Sequence, residues 1–189
     1  MNDLEQILKE YAAFEAKVNH FSSDLWFQWC SDCTEVCCKK VYCRETLESS
    51  FLVLLLQKHS ADPFFDLNHK GWLNEAGCKL TVGRPPVCYE FLCGHILDDQ
   101  HTRNQRYAMI VLAKLIAHIG KRALGSRHLI EIMDPAQLRK VKYSRFEKRL
   151  SEARNAIEVV QSILRGAKLE GDALEVLSKI YSMGCVKGK

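Results

Sequence analysis

Glycine and proline are scarce in this chain: ten Gly and four Pro among 189 residues. With 47% hydrophobic and 26% charged residues, that composition excludes collagen-like, low-complexity and disordered classes. Long apolar runs are also missing. Phe51–Leu56 is six residues long, and Met109–Ile119 is interrupted by Lys114 and His118. Neither approaches the roughly 20 residues of a membrane-spanning helix. The N-terminal Met1-Asn2-Asp3-Leu4-Glu5 has no basic region followed by an apolar stretch, so a cytoplasmic location without membrane contact is expected. No Gly-x-Gly-x-x-Gly, phosphate-loop Gly-Lys-Ser/Thr or His-Glu-x-x-His occurs, nor does Gly-x-Ser-x-Gly. The common nucleotide, zinc-protease and serine-hydrolase signatures are thus absent.

Cysteine, by contrast, is abundant. Eight of nine cysteines fall between Cys30 and Cys93, and Cys185 stands alone. The first group is Cys30-Ser-Asp-Cys33-Thr-Glu-Val-Cys37-Cys38, followed by Cys43; the second is Cys78, Cys88 and Cys93. A Cys-x-x-Cys turn lets two thiolates meet one ion while backbone amides between them face the sulfurs. Pro85 and Pro86 stiffen the segment that delivers Cys88. Adjacent side chains such as Cys37 and Cys38 diverge, so they serve different ions or different irons of one cluster, or one of them packs as an apolar residue. A disulfide framework is the weaker reading, since the total is odd and the expected compartment is reducing.

The expected metal set is therefore Cys30, Cys33, Cys37, Cys38, Cys43, Cys78, Cys88 and Cys93. A set of soft donors favours an iron–sulfur cluster or zinc over calcium or magnesium. The double cysteine and the excess of thiols tilt the choice towards iron–sulfur. His69 and His95 are near enough in sequence to replace a cysteine, although an ordinary surface or hydrogen-bonded role is the simpler reading. Trp26 and Trp29 flank the first cysteine and are expected to pack over the site. Arg84 is expected to hydrogen-bond carbonyls of its own loop.

The cluster Cys30, Cys33, Cys37, Cys38, then Cys78-x-Leu80, then Arg84-Pro85-x-x-Cys88-x-x-Phe91-x-Cys93, resembles the YkgJ-type CxxCxxCC family of zinc- or iron-chelating proteins. The resemblance covers about residues 30–93. It implies a chelating role for Cys30, Cys33, Cys37, Cys38, Cys78, Cys88 and Cys93, with an iron–sulfur cofactor in members associated with lysine methylation of flagellin. Two departures are the three-residue gap Thr34-Glu35-Val36 and the lack of a glycine beside the second cysteine.

The periodicity predicts a mainly α protein, a helical domain with an irregular cysteine-rich metal-binding module in its N-terminal half. Residues 1–97 hold the first helix and the cysteine module; residues 98–189 form a helical region packed against them as one compact unit. Leu4, Ile7, Leu8, Tyr11, Phe14, Val18 and Phe21 predict a helix over Asp3–Phe21, capped by Asn2 or Asp3. From Trp26 to Cys43 no period is clear. Glu45–His59 reads as one helix, although Phe51–Leu56 also fits a buried strand. Asp62–Pro86 is loop-like, and Cys78–Cys93 holds a short hairpin or only turns.

Beyond these, Asp98 or Asp99 caps a helix to about Gly120, and a short helix covers Ser126–Met133. A long helix starts at Asp134-Pro135 and ends near Arg165, with a seam of Phe146, Leu150, Ala153, Ile157, Val160 and Leu164. The seam spans fewer than three heptads, so its expected partner is the helix ending at Gly120 rather than a second chain. A last helix covers Asp172–Met183.

Charge is asymmetric. Residues 1–97 carry 9 basic and 13 acidic side chains, and residues 98–189 carry 18 and 10. Lys121–Arg154 alone holds 10 basic against 4 acidic residues. A solvated helix face is the simpler reading, since the pI of 8.5 is below that of a dedicated nucleic-acid domain. Three functions follow. The first is a metal-binding protein with a structural, electron-transfer or protein-modification-associated role. The second is an iron–sulfur enzyme. The third is a zinc-braced adaptor that binds nucleic acid or an acidic protein partner through its basic C-terminal helices. The first is preferred.

Overall fold

The computed structural model of the chain describes residues 2–30, 39–59, 72–74 and 77–182. Helix α1 spans Asp3–Cys30. Its start is a reciprocal cap: Asn2 Oδ1 accepts from the Glu5 amide at 2.8 Å, and Glu5 Oε2 accepts from the Asn2 amide. The helix runs nine residues beyond its expected end at Phe21. No glycine or proline precedes Pro63, and Val18, Ser22, Leu25 and Trp29 continue the stripe in steps of four and three. The irregular region expected from Trp26 is therefore helical as far as Cys30.

Helices α2, Lys40–Glu48, and α3, Ser50–Lys58, replace the single helix expected over Glu45–His59. Ser49 is extended between them, and its hydroxyl accepts from the Leu52 amide. Phe51–Leu56 lies inside α3, so the strand alternative is excluded. Phe51, Leu52, Leu55 and Leu56 are buried, with the Phe51 ring edge-on to Tyr11 at 5.0 Å between centroids.

Strands β1, Leu73–Asn74, and β2, Gly77–Cys78, form a two-residue antiparallel ladder. Pairing thus ends at Cys78; the rest of the Cys78–Cys93 segment forms one short helix, α4 over Val87–Glu90, and α5 over Gly94–Asp98 begins just after Cys93. About half of the expected 62–86 loop, 62–71 and 75–76, lies outside the described residues.

Helix α6, Arg103–Gly120, is capped by Thr102 in a box with Gln105. The expected caps Asp98 and Asp99 belong to the end of α5 instead. The Ser126–Met133 helix is reduced to a 3₁₀ turn over Leu129–Glu131. Asp134 does cap at Pro135, as expected, with its carboxylate accepting from Ala136 at 2.8 Å. The helix it starts, α7, stops at Leu138, and α8 begins afresh at Tyr143 and runs to Leu164. On one continuous helix Val141 would lie about 140° from the centre of the apolar seam. The break turns it inward, where it is 1% exposed. Helix α9, Asp172–Ile180, closes the described fold; Met183, the expected end of this helix, lies outside the described residues.

Helix α6 is buried on nearly every side, from Tyr107 to Gly120. Its most extensive neighbour is α8, and α1, α4 and α9 cover the rest. The seam residues Phe146, Leu150, Ala153, Ile157 and Val160 are all buried, so the helix hairpin accounts for the seam. Gly120 lets the chain return across the end of α6. A Cβ there would sit 2.2 Å from the His128 ring, which is held by its Nε2 on the Ala117 carbonyl at 2.8 Å. No helix among the described residues is long and apolar enough to cross a membrane.

Helix propensity alone makes Gly→Ala favourable by about 1 kcal/mol. Overpacking at a pinned ring costs about 1–3 kcal/mol, so Gly120→Ala is expected to lower stability in a denaturant titration. A gain in stability would show that His128 is not fixed there.

Candidate functional site

The second cysteine group is carried on a loop that α1 holds through one buried carboxyl. Glu15 lies on the apolar face of α1, one turn after Tyr11, and is fully buried. Its Oε2 accepts from the Gly83 amide at 2.8 Å. Its Oε1 accepts from the Arg84 amide and the Tyr89 hydroxyl, each at 2.9 Å. Gly83 is required at this turn: its φ is +84°, and a Cβ would meet Leu56 Cδ2 at 2.8 Å. On the other side, Thr46 donates to the Gly83 carbonyl at 3.0 Å.

Arg84 behaves as expected and ties the loop to itself. Its Nε donates to the Leu80 carbonyl at 2.6 Å and one terminal nitrogen to the Cys78 carbonyl at 3.1 Å. The other reaches Asn19 Oδ1 on α1 at 2.8 Å. Burial pushes the Glu15 carboxyl up to about 7, against the opposing pull of the Gly83, Arg84 and Tyr89 donors and the Arg84 charge. Desolvation therefore outweighs three hydrogen bonds.

The expected ligands are distributed as follows. Cys30 is the last residue of α1 and is exposed. Its neighbour Trp29 donates its indole N–H to Asp99, at the end of α5, at 3.0 Å. Cys93 lies immediately before α5. Helices α1 and α5 touch, so the ends of the two cysteine groups share one side of the fold. Cys43 is buried in a small apolar cluster with Leu56, Trp72 and Leu80, against which the half-buried Cys78 packs. Cys88 is half-buried in α4.

Cys33, Cys37, Cys38, Cys185 and His69 lie outside the described residues. His95 is exposed on α5. Among the described residues, no three His, Cys, Asp or Glu side chains gather into a group that could hold a metal ion. Cys30, Cys78, Cys88 and Cys93 offer soft thiol donors that suit zinc or iron. Trp26, expected over the site, is half-buried near the end of α1, and its indole nitrogen has no partner among the described residues.

Two buried polar groups escaped the sequence reading. Glu15 is one; its signal is an acid at the i+4 position from Tyr11 on an otherwise apolar face. His118 is the other, buried in the α6–α8 interface with Nε2 2.8 Å from Glu152. Burial holds its pKa below the ordinary value, while Glu152 acts in the opposite direction. No family model matches the chain, and neither a curated protein nor a solved structure shows significant similarity to it.

Glu15→Gln turns an amide N–H₂ towards donors and leaves at least one buried N–H unpaired, at a cost of about 1–3 kcal/mol. The folded state holds the Glu15 proton up to about 7, against an ordinary 4.5. This group's contribution to stability is therefore full below pH 4.5 and declines as pH rises through 7. Denaturant titrations across that window should show the decline in the wild type relative to Glu15→Gln. Parallel curves would mean that Glu15 does not titrate there.

Proposed function

We propose that the protein binds metal through thiolates, with an iron–sulfur cluster preferred to zinc, in a structural, electron-transfer or protein-modification-associated role like that of the YkgJ-type proteins it resembles. The observation that supports this reading best is the attachment of the second cysteine group to α1. Glu15, Asn19 and Arg84 hold the loop behind Cys78 and Cys88, and the Trp29–Asp99 bond ties the helix end at Cys30 to α5 behind Cys93. Donors fixed by such contacts lose little entropy on binding an ion.

Cys30, Cys78, Cys88 and Cys93 are the described members of the proposed set, joined by Cys33, Cys37 and Cys38. The resemblance omits Cys43, and its apolar surroundings suit a packing role. When bound, iron–sulfur supplies one-electron chemistry, whereas zinc supplies a structural brace.

Anaerobic purification with elemental analysis and a visible spectrum tests the reading. Iron with labile sulfide and broad visible absorbance supports a cluster. Stoichiometric zinc in a colourless protein supports the brace, and paired thiols with neither metal sink the proposal. Cys33→Ser and Cys88→Ser are expected to release metal and lower the melting temperature. Cys185→Ser should leave metal content unchanged; if it does not, the site is drawn wrongly.

A further inference from the structure

The basic surface between the end of α6 and the first half of α8 is shaped as well as charged. Arg145, Lys148, Arg149 and Glu152 fall at i, i+3, i+4 and i+7, and so share one face of α8. Opposite them, the loop after α6 brings Arg122 and Gly125. Together these six residues line a cleft of 330 Å³. A second cleft of 490 Å³ shares Arg122 and Arg149 and adds Lys121, Lys179, His118 and Glu131.

Among the described residues, Arg122, Arg145, Lys148 and Arg149 form no ion pair. The two carboxylates of the clefts are already engaged. Glu152 bonds His118, and Glu131 accepts from the His128 amide at 2.7 Å. The clefts are thus lined by six cations, Lys121, Arg122, Arg145, Lys148, Arg149 and Lys179, against these two carboxylates, and Lys179 is paired to Glu175 outside them. Lys121 reflects this: desolvation and then the Arg149 charge, with lesser contributions from Lys114 and Arg122, hold its pKa below the ordinary value against the pull of Glu90.

Arg122 adds an independent sign. Its φ is +52°, and it is the one non-glycine with positive φ among the described residues. That conformation is unfavourable for a side chain with a Cβ, and such strain concentrates at functional positions. A glycine would relieve it, yet an arginine stands there and lines both clefts.

We propose that the paired clefts bind a small molecule carrying two or more phosphoryl groups, one in each cleft, with Arg122 and Arg149 between them. Guanidinium forks match phosphoryl oxygens bidentately, and several unpaired cations around a few hundred cubic ångströms call for a multiply charged ligand. Among the described residues no Phe, Tyr or Trp lines either cleft, and they offer no stacking platform of the kind single-stranded nucleic acids use. The proposal is independent of the metal reading.

Calorimetric titration of the full-length protein with inorganic tripolyphosphate, at low and at physiological ionic strength, tests it. Saturable binding that weakens with salt is expected. Arg122→Gly and Arg149→Gln should each weaken binding about tenfold, the equivalent of one charge-assisted contact. Arg139→Gln removes an equal charge outside the clefts and should leave binding unchanged. Arg122→Gly relieves the positive φ, so its melting temperature should hold or rise; the exposed Lys148→Gln is a second variant that spares the core.

Absence of tripolyphosphate binding would overturn the proposal. So would an equal loss with Arg139→Gln, which would reduce the effect to net charge. A third contrary result is an oligonucleotide that binds through Arg122 and Arg149 and is not displaced by tripolyphosphate, since the clefts would then serve a nucleic-acid backbone.

Discussion

Helix α6 has almost no face left for water, and that constraint arranges its neighbours. An exposed apolar helix loses roughly 1.5–3 kcal/mol for each large side chain that is not covered. Met109, Leu112, Leu115, Ile116 and Ile119 are all buried. Covering them takes α8 along one side, with α1, α4 and α9 around the remainder. The requirement also explains how α7 and α8 divide the chain. A straight helix from Pro135 would bury the seam but strand Val141 in solvent, whereas two helices bury both.

Two ionisable groups within this wrapping are paired. His118 lies within the α6–α8 contact and meets Glu152. Glu15 lies on the buried face of α1 and meets three donors from the segment 83–89. The two differ in consequence. His118 stays within the helical hairpin, but Glu15 draws an irregular segment onto a helix that would otherwise present it with an apolar surface. The cysteine-bearing loop is thus positioned by hydrogen bonds at its base, with its thiols disposed around it.

Much of the helical architecture is written in apolar spacing. The stripe of α1, the seam of α8 and the Asp134-Pro135 start each follow from local chemistry. What spacing could not convey is how far each element continues or where it yields to tertiary demand. The continuation of α1 to Cys30 depends on tryptophans that read equally well as part of an irregular metal loop. The true cap of α6 is Thr102, because Asp98 and Asp99 are spent in α5, a helix too short to announce itself. Glu15 was illegible as a clamp because its partners are two backbone amides and a tyrosine some 70 residues away. The expected thiolate site was readable only as a list of residues. Cys33, Cys37 and Cys38 lie outside the described residues, and Cys43 occupies an apolar cluster that spacing does not reveal.

The placement of the indoles gives the molecule an optical polarity. Trp26 and Trp29 lie on the last turns of α1, and Trp72 is buried beside Cys43 and the Cys78 strand. The region from α6 to α9 contains no tryptophan. Intrinsic fluorescence therefore reports the cysteine-bearing side almost alone, where a bound iron–sulfur cluster, unlike zinc, would quench it. Events confined to the α6–α8 hairpin are dark at the same wavelengths, so one emission band separates the chemistry of the two sides.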